Sequence, residues 1–427
     1  MKDTFFSYSF GCRVNEAEKE EIDRQMVQAG FQRSPQNPSI YIINTCSVTH
    51  KAEREARQHI YQVKRRFPTC KIIITGCSAT YWKKNSLNAG LPVDEVYDNL
   101  QKEYLVSLLQ KKLLIPPHPT QNLLSQTAES KFLSSGRFLV KIQDGCQRFC
   151  SFCIVPYLRG LPKSRKISEI VEMIKNQKGI KEVILTAINT EAFGYDTGEK
   201  FINLLQKVID KTNIERISFG SIHPWSINDD FFRFYKKKSS KSRLVDFFHI
   251  PLQSGSNKIL GLMKRGYTRE EIIDKLHSIH RLNKFAFIGT DVIVGFLDES
   301  SGDFEDTYHF LKESPISKFH IFRFSKRQNT AAYYLSKRLS EASDSIKKKR
   351  AQALSDLNLI KYNAFLEKHV GKIFSALFLG RITKGLQKVL LSNQIPAYIK
   401  TDEYYSSEIK NVKLTDYKNG GLFGKIV

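Results

Sequence analysis

The sequence predicts an α/β protein in three parts: an N-terminal parallel sheet, a central barrel or partial barrel of six β/α repeats, and a small C-terminal β-barrel. Three observations carry this. The first hundred residues alternate strand-like and helical patterns, and the middle of the chain repeats that alternation six times. The tail, Gly371–Val427, changes to short alternating apolar runs with a Gly-Gly turn.

The first strand is expected over Phe5–Phe10, then a helix from about Asn15 to Ala29, opened by an Asn15-x-x-Glu18 capping pattern. Ile40–Asn44 is almost continuously β-branched or aromatic, as suits a strand covered on both faces. A basic helix from about Thr49 to Phe67 follows, stopped by Pro68, and then a third strand, Lys71–Thr75. A βαβαβ pattern implies parallel strands with right-handed crossovers, so all carboxyl ends share one edge, where ligands bind. Cys12, Cys46 and Cys77 each fall within two residues of such an end. One cysteine past a buried strand is ordinarily a small core hydrophobe, but three can be gathered by this topology into one site.

Leu113–Ser135 loses periodicity and gains Pro, Ser and Thr, as in a linker. Six strands are then expected: Phe138–Ile142, Glu182–Ala187, Arg216–Gly220, Asp246–Ile250, Phe287–Val294 and Phe319–Phe324. Helical patterns lie between them, clearest at Ile167–Asn176, Phe201–Lys211, Arg269–Leu282 and Asp303–Glu313. In such a barrel the active face lies at the strands' carboxyl ends. A lysine-rich helix near Glu341–Lys361 precedes the tail.

At 427 residues, 41% hydrophobic and 26% charged, the chain can build two or three cores. Its net charge of +24 predicts attraction to polyanions, nucleic acid first, although a generally lysine-rich proteome competes as the explanation. The N-terminus lacks a secretory pattern, and no apolar run is long enough to span a membrane. A cytoplasmic protein is expected, with no membrane partner. In a reducing compartment its seven cysteines indicate metal or catalysis before disulfides.

The strongest local motif is Cys146-x-x-x-Cys150-x-x-Cys153, directly after a strand. Structural zinc would want a fourth ligand, and the nearest histidines, His118 and His223, are distant in sequence. A 4Fe–4S cluster held by three thiolates keeps one iron open, which fits the count better.

This motif, at the end of a β/α barrel's first strand, resembles the radical S-adenosylmethionine (radical SAM) superfamily. Within it, Val140–Gly160 (VKIQDGCQRFCSFCIVPYLRG), Ile250–Thr268 and TDVIVGF (Thr290–Phe296) resemble the methylthiotransferases. So do GCRVNEAE (Gly11–Glu18), NTCSVT (Asn44–Thr49) and TGCSA (Thr75–Ala79). The resemblance runs to about Ile360, and the tail more weakly resembles the RNA-binding TRAM barrel. It implies a Rossmann-like N-terminal methylthiotransferase domain (1–112), a linker (113–135), a partial (β/α)6 radical SAM domain (136–366) and a TRAM-like domain (367–427).

The family has three branches, modifying isopentenyl-adenosine in tRNA, a ribosomal-protein aspartate, or threonylcarbamoyladenosine beside the anticodon. GCRVNEAE, NTCSVTHKAEREARQHI and HIFRFSKRQNT (His320–Thr330) resemble the third, which implies methylthiolation at adenine C2. By resemblance, Cys146, Cys150 and Cys153 ligate the radical cluster, whose open iron binds SAM and generates a 5′-deoxyadenosyl radical. Cys12, Cys46 and Cys77 hold an auxiliary 4Fe–4S cluster that carries the sulfur. The expected partners are the tRNA anticodon loop and a reducing protein such as a flavodoxin or ferredoxin, with the enzyme a monomer. The other two substrates remain alternatives, as does a non-catalytic, metal-containing RNA-binding protein, which the two incomplete trios argue against.

Asn189, Gln253, Ser254 and Gly255 follow strands at the active face and are candidate SAM contacts; tight turns without a ligand are the competing explanation. The family usually shows Thr-Gly-Val-Asn where this chain has Thr186-Ala187-Ile188-Asn189, and Pro-Gly where it has Leu297-Asp298. Cys70 precedes its strand and reads as an ordinary thiol, and His223 and His249 as structural histidines. The helix carrying Lys51, Arg54, Arg57, Lys64, Arg65 and Arg66, and the run Lys236–Arg243, are candidate phosphate contacts. Tyr404 and Tyr405 are candidates for stacking on bases, with core or surface packing the default.

Overall fold

The computed structural model describes residues 4–113, 132–237 and 243–427. Residues 114–131 of the expected linker and 238–242 of the expected basic run lie outside these. The chain forms two compact units. The first is Met1–Ser130 with Asp144–Arg148 and Cys153–Pro162; the second is Lys131–Gln143, Phe149–Phe152 and Lys163–Val427.

The first unit runs β1 (Thr4–Ser9), α1 (Arg13–Gln28), β2 (Gln32–Arg33), β3 (Ile40–Thr45), α2 (His50–Arg66), β4 (Lys71–Gly76), α3 (Cys77–Lys84), β5 (Glu95–Val96) and α4 (Leu105–Leu113). Its strands form one parallel sheet in the order β2-β1-β3-β4-β5. β3 is buried throughout because helices cover both faces. Tyr41 and Ile43 pack with Ala56, Ile60 and Trp82, while Ile40 and Ile42 pack with Ile22, Met26 and Leu109. Register pairs Ser9 with Asn44 and Asn44 with Thr75, so three strands finish level. The short edge strands β2 and β5, two residues each, carry too little periodicity to be read from sequence.

Helix starts differ in an informative way. Thr49 caps α2, its hydroxyl accepting from Ala52 N–H at 3.2 Å. The capping pattern expected at Asn15 and Glu18 does not form: α1 begins at Arg13, with Cys12 at the cap position and no side-chain cap. Both residues are instead buried inside the helix and committed elsewhere.

Next come β6 (Arg137–Asp144), α5 (Val155–Arg159), β7 (Lys163–Ser164), α6 (Ile167–Lys175), β8 (Glu182–Ala187), α7 (Phe201–Lys211), β9 (Arg216–Phe219) and α8 (Asp229–Lys236). They are followed by β10 (Phe247–His249), α9 (Asn257–Leu262), α10 (Arg269–Leu282), β11 (Phe287–Val294), α11 (Ser301–Glu313) and β12 (Lys318–Arg323). The six expected strands are present and parallel, as β6-β8-β9 with β7 at the edge and as β10-β11-β12. An isolated parallel bridge pairs Ile217 of β9 with Leu244, three residues ahead of β10. Val140, Ile142, Val183, Leu185, Ile217 and Ile288 point into the core under the helices. By alternation, Lys141, Gln143, Thr186, Ser218, His249, Asp291 and His320 occupy the opposite face.

Still within the second unit, α12 (Ala331–Leu335) and the long α13 (Asp344–Glu367) lead to a closed barrel. Its strands are β13 (Ile373–Thr383), β14 (Leu386–Leu391), β15 (Pro396–Lys400), β16 (Ile409–Lys418) and β17 (Gly421–Ile426), in the order β13-β14-β15-β17-β16. Phe365 of α13 and Phe287 of β11 share its core.

Candidate metal centres

The level strand ends decide where the first cysteine trio falls. Cys12 caps α1 after β1, Cys46 follows β3, and Cys77 opens α3 after β4. Two glycines make the approach possible. Gly11 has φ +92°, and a Cβ on it would lie 2.5 Å from Cys46 Sγ. Gly76 has φ +96°, with Thr45 O 2.4 Å from its imagined Cβ. Only glycine tolerates both conditions. Burial pushes the Cys46 thiol up to about 12, and the neighbouring Cys77 and Cys12 add to the effect. None of the three is in a disulfide.

Around them lies a buried charge network. The five guanidinium N–H groups of Arg159 are all engaged. Nε donates to Cys77 Sγ at 3.3 Å, Nη1 to Glu18 Oε1 and Asp144 Oδ1 at 2.8 Å each, and Nη2 to Asn15 Oδ1 at 2.7 Å and Glu18 Oε2 at 3.2 Å. Lys102 Nζ is 2.7 Å from Glu18 Oε2. Asn99 Nδ2 approaches Cys77 Sγ at 3.8 Å. Asn15 also donates to Phe10 O and Thr45 O at 2.8 and 3.0 Å, closing the turn before Cys12 onto the one before Cys46. Sequence reading missed this network. Asn15, Glu18, Asp144 and Arg159 all lie inside or beside the quoted cysteine motifs, and proximity to those motifs was the available signal.

The second trio sits on the segment after β6. Gly145, at φ +71°, precedes Cys146, and a Cβ there would come within 2.1 Å of Leu161 O. Cys146 N–H donates to Gly160 O at 3.1 Å, and its Sγ accepts from Arg148 N–H at 3.5 Å. In the second unit, Cys150 is buried and its Sγ accepts from Arg265 Nη1 at 3.1 Å. Arg265 is itself fixed by Tyr267 OH (2.8 Å) and Pro251 O (3.0 Å). None of the six cysteines is in a disulfide, and N–H donors reach the sulfurs of Cys77, Cys146 and Cys150, a chemistry that fits thiolate-bound iron.

The candidate SAM residues have structural duties. Asn189 caps a short 3-10 turn, accepting from Glu191 N–H at 3.1 Å, and its own N–H donates to Gln143 Oε1 at 3.0 Å. Gln253 takes φ +81° and bonds β11 through its backbone, to Asp291 O at 2.8 Å and from Ile293 N–H at 2.9 Å. The Ser254 hydroxyl meets Thr307 Oγ1 at 3.1 Å, and Gly255 N–H donates to that oxygen at 3.0 Å. A Cβ on Gly255 would come within 2.8 Å of the α11 backbone at Thr307. Where the family has Pro-Gly, Asp298 takes the left-handed position at φ +51°, held by Ser340 N–H at 2.8 Å. Ala187 simply ends β8.

His249 Nε2 and His320 Nδ1 lie 3.1 and 3.4 Å from the same oxygen of Asp291. Burial alone would raise the Asp291 carboxyl, but hydrogen bonds from the two imidazoles outweigh it and hold the group well below the ordinary carboxylate range. His249, expected to be structural, thus shares Asp291 with His320, and the ligand atoms of the three lie within 4.8 Å of one another. His223 stacks on Trp225 at 4.7 Å. Cys70 is packed in the core beside Ile72. Among the basic candidates, Lys51, Arg54, Arg65 and Arg66 are exposed on α2. Arg57 is spent on the Trp82 ring at 4.3 Å and on Leu87 O. Arg243 is likewise engaged within the protein, donating to Ile209 O, Thr212 O and Ile214 O. Tyr404 is exposed, whereas Tyr405 packs on Phe378 at 5.2 Å.

Comparison with known proteins adds the following. Residues 140–311 match the Radical SAM superfamily, and residues 4–97 match the Uncharacterized protein family UPF0004. The threonylcarbamoyladenosine tRNA methylthiotransferase of Aquifex aeolicus is 37% identical over 380 residues, covering 86% of this chain and 91% of that protein. The Bacillus subtilis protein of the same name is 32% identical, covering 86% and 83%. A tRNA-2-methylthio-N(6)-dimethylallyladenosine synthase of Petrotoga mobilis is 28% identical, covering 99% of each chain. Among solved structures, the radical SAM methyltransferase TsrM of Kitasatospora setae shares the fold at TM-score 0.55 and 12% identity, covering 91% of this chain and 81% of that one.

Proposed function

The chain belongs to the radical SAM methylthiotransferase family, in its tRNA threonylcarbamoyladenosine branch, and we propose that it adds a methylthio group to C2 of N6-threonylcarbamoyladenosine beside the anticodon. The observation that carries this is the pair of separate three-thiol sets, one at the level ends of a parallel sheet and one after the first strand of a β/α barrel.

We assign Cys146, Cys150 and Cys153 to the radical 4Fe–4S cluster and Cys12, Cys46 and Cys77 to an auxiliary one. SAM is assigned to the strand ends carrying Asn189 and Gln253, where Ser254 and Gly255 hold the turn against α11. When bound, these groups supply an electron, hydrogen abstraction from an unactivated carbon, and the sulfur and methyl donors. The protein's share is placement. Its thiols give up their protons to become ligands. Arg265 holds Cys150 by an N–H···S bond, and Lys141, Gln143, Asp291 and His320 lie on the sheet faces opposite the helix-covered core. The exposed arginines of α2 and Tyr404 suit an RNA, whose phosphates attract charge and whose bases stack. Residues 1–112 then carry the auxiliary cluster, 136–366 the radical chemistry and 367–427 RNA contact. A flavodoxin or ferredoxin as electron donor to a cytoplasmic monomer completes the proposal.

Mass spectrometry of tRNA nucleosides, from cells with and without the gene, tests it. Deletion is expected to abolish methylthio-threonylcarbamoyladenosine and leave the unthiolated nucleoside. Loss of the isopentenyl derivative instead would move the chain to the sister branch, and an unchanged profile would overturn the reading. Anaerobic reconstitution is expected to load about eight irons, two clusters of four; a plateau at half that value counts against the auxiliary site.

A further inference from the structure

Arg159 is one of the most completely engaged side chains in the first unit. A buried guanidinium must be paired, and Glu18 and Asp144 do this. Lys102 shares Glu18, so two buried cations face two carboxylates and the local charge balances. Nothing in that balance requires the Nε–H, which points at Cys77 Sγ at 3.3 Å. Asn99 Nδ2 adds a second, longer approach to the same sulfur. Cys77 sulfur thus takes side-chain donors, whereas Cys12 and Cys46 take backbone N–H donors, from Asn15 and Val48.

Two general facts give the side-chain donor on Cys77 a consequence. An N–H···S bond to a ligating thiolate withdraws electron density and raises the reduction potential of the iron it holds. Arginine keeps its proton at any physiological pH, so the donor is permanent. Arg159 is also mechanically placed to act. It ends α5, the short helix that follows Cys153, and α5 is docked by Asn99 Nδ2 to Leu158 O (3.1 Å) and Lys84 Nζ to Tyr157 O (2.9 Å).

We propose that Arg159 is a positioning residue for the auxiliary site: through its Nε–H···Sγ bond it fixes the Cys77 sulfur and raises the reduction potential of the cluster at Cys12, Cys46 and Cys77. This rests on assigning that trio to a cluster. A cluster held by Cys12, Cys46 and Cys77 would supply the sulfur and the acceptor for the one electron left over when a carbon radical joins a thiolate, and a higher potential would favour that uptake.

The test uses the full chain carrying Cys150→Ala, which confines iron to the first trio. It is reconstituted anaerobically and titrated redox-wise, with electron paramagnetic resonance as the readout. Arg159→Gln is expected to retain iron while its midpoint moves to a more negative potential. Arg159→Lys keeps a buried cation for Glu18 and Asp144 but gives up the planar fork, so it reads the same shift if the glutamine variant does not fold. A fully loaded Arg159 variant with an unmoved midpoint overturns the role of Arg159 and leaves the cluster assignment standing. A Cys150→Ala protein that takes up no iron overturns the cluster assignment, and the role of Arg159 with it.

Discussion

Asp291 shows how a residue's neighbours fix its chemistry. Two imidazoles converge on one carboxylate oxygen, at 3.1 and 3.4 Å, and the side chain is about one quarter exposed, at 24%. Hydrogen bonds to a charged group are worth about 1.5–3 kcal/mol each when buried, less where a partner such as His320 faces solvent. Asp291→Asn is therefore expected to cost about 2 kcal/mol at neutral pH, read by denaturant titration. The sign of the pH dependence follows from the lowered carboxyl. Its contribution is complete above the ordinary value of about 4 and is lost as pH falls through the lower folded value. The gap between the two proteins should thus close in acid, and a gap constant down to strongly acid pH would contradict the pairing. Asp291 and His320 both lie within quoted motifs, yet nothing in their spacing announces that they meet. Neighbouring parallel strands bring them together through register, Asp291 opposite His320.

At the scale of elements, the turn from β1 to α1 is the most constrained piece of the first unit. Gly11 combines a left-handed φ with an approach that leaves no room for a methyl group beside Cys46. Gly11→Ala is expected to displace Cys46 and remove the first trio's share of iron, about half the total, while the second trio stays loaded. Full loading of the variant would show that the turn relaxes without cost. Strand and helix existence was largely legible, because β-branched runs and helical periodicity are local properties. Glu182–Ala187, Phe201–Lys211, Arg269–Leu282 and Phe287–Val294 form within the expected bounds. The failure at Asn15-x-x-Glu18 has a physical cause. That pattern caps a helix only when the side chains are free to turn back on the backbone, and here the distant Arg159 claims both. Capping boxes do form at Thr268/Glu271 and at Ser300/Asp303, the second while Asp303 also accepts from Ser256 and Lys258, because neither draws the carboxylate away from the helix start.

For the molecule as a whole, the C-terminal barrel is more than an appended module. Phe287 of β11 packs in the same core as Phe365, Phe374 and Phe378. Arg216 Nη1 donates to Leu390 O at 2.9 Å, and Gln394 bridges Arg137 and Glu182 at 2.9 and 2.8 Å. Ending the chain at Gly371 is therefore expected to lower the melting temperature of the second unit by several degrees as well as weaken RNA binding, since the cut opens a shared apolar core. Calorimetry checks this; an unchanged transition with weakened RNA binding would show that the barrel is energetically separate. By itself the sequence determined the α/β class, the six-strand repeat, the closing barrel and the two cysteine trios, because each is written in local periodicity or short spacing. Only the tertiary structure decided which charged residues serve the trios. Arg159, Glu18, Asp144 and Lys102 come from four separate places in the chain, and a buried charge finds its partner by burial and geometry rather than by order in the sequence.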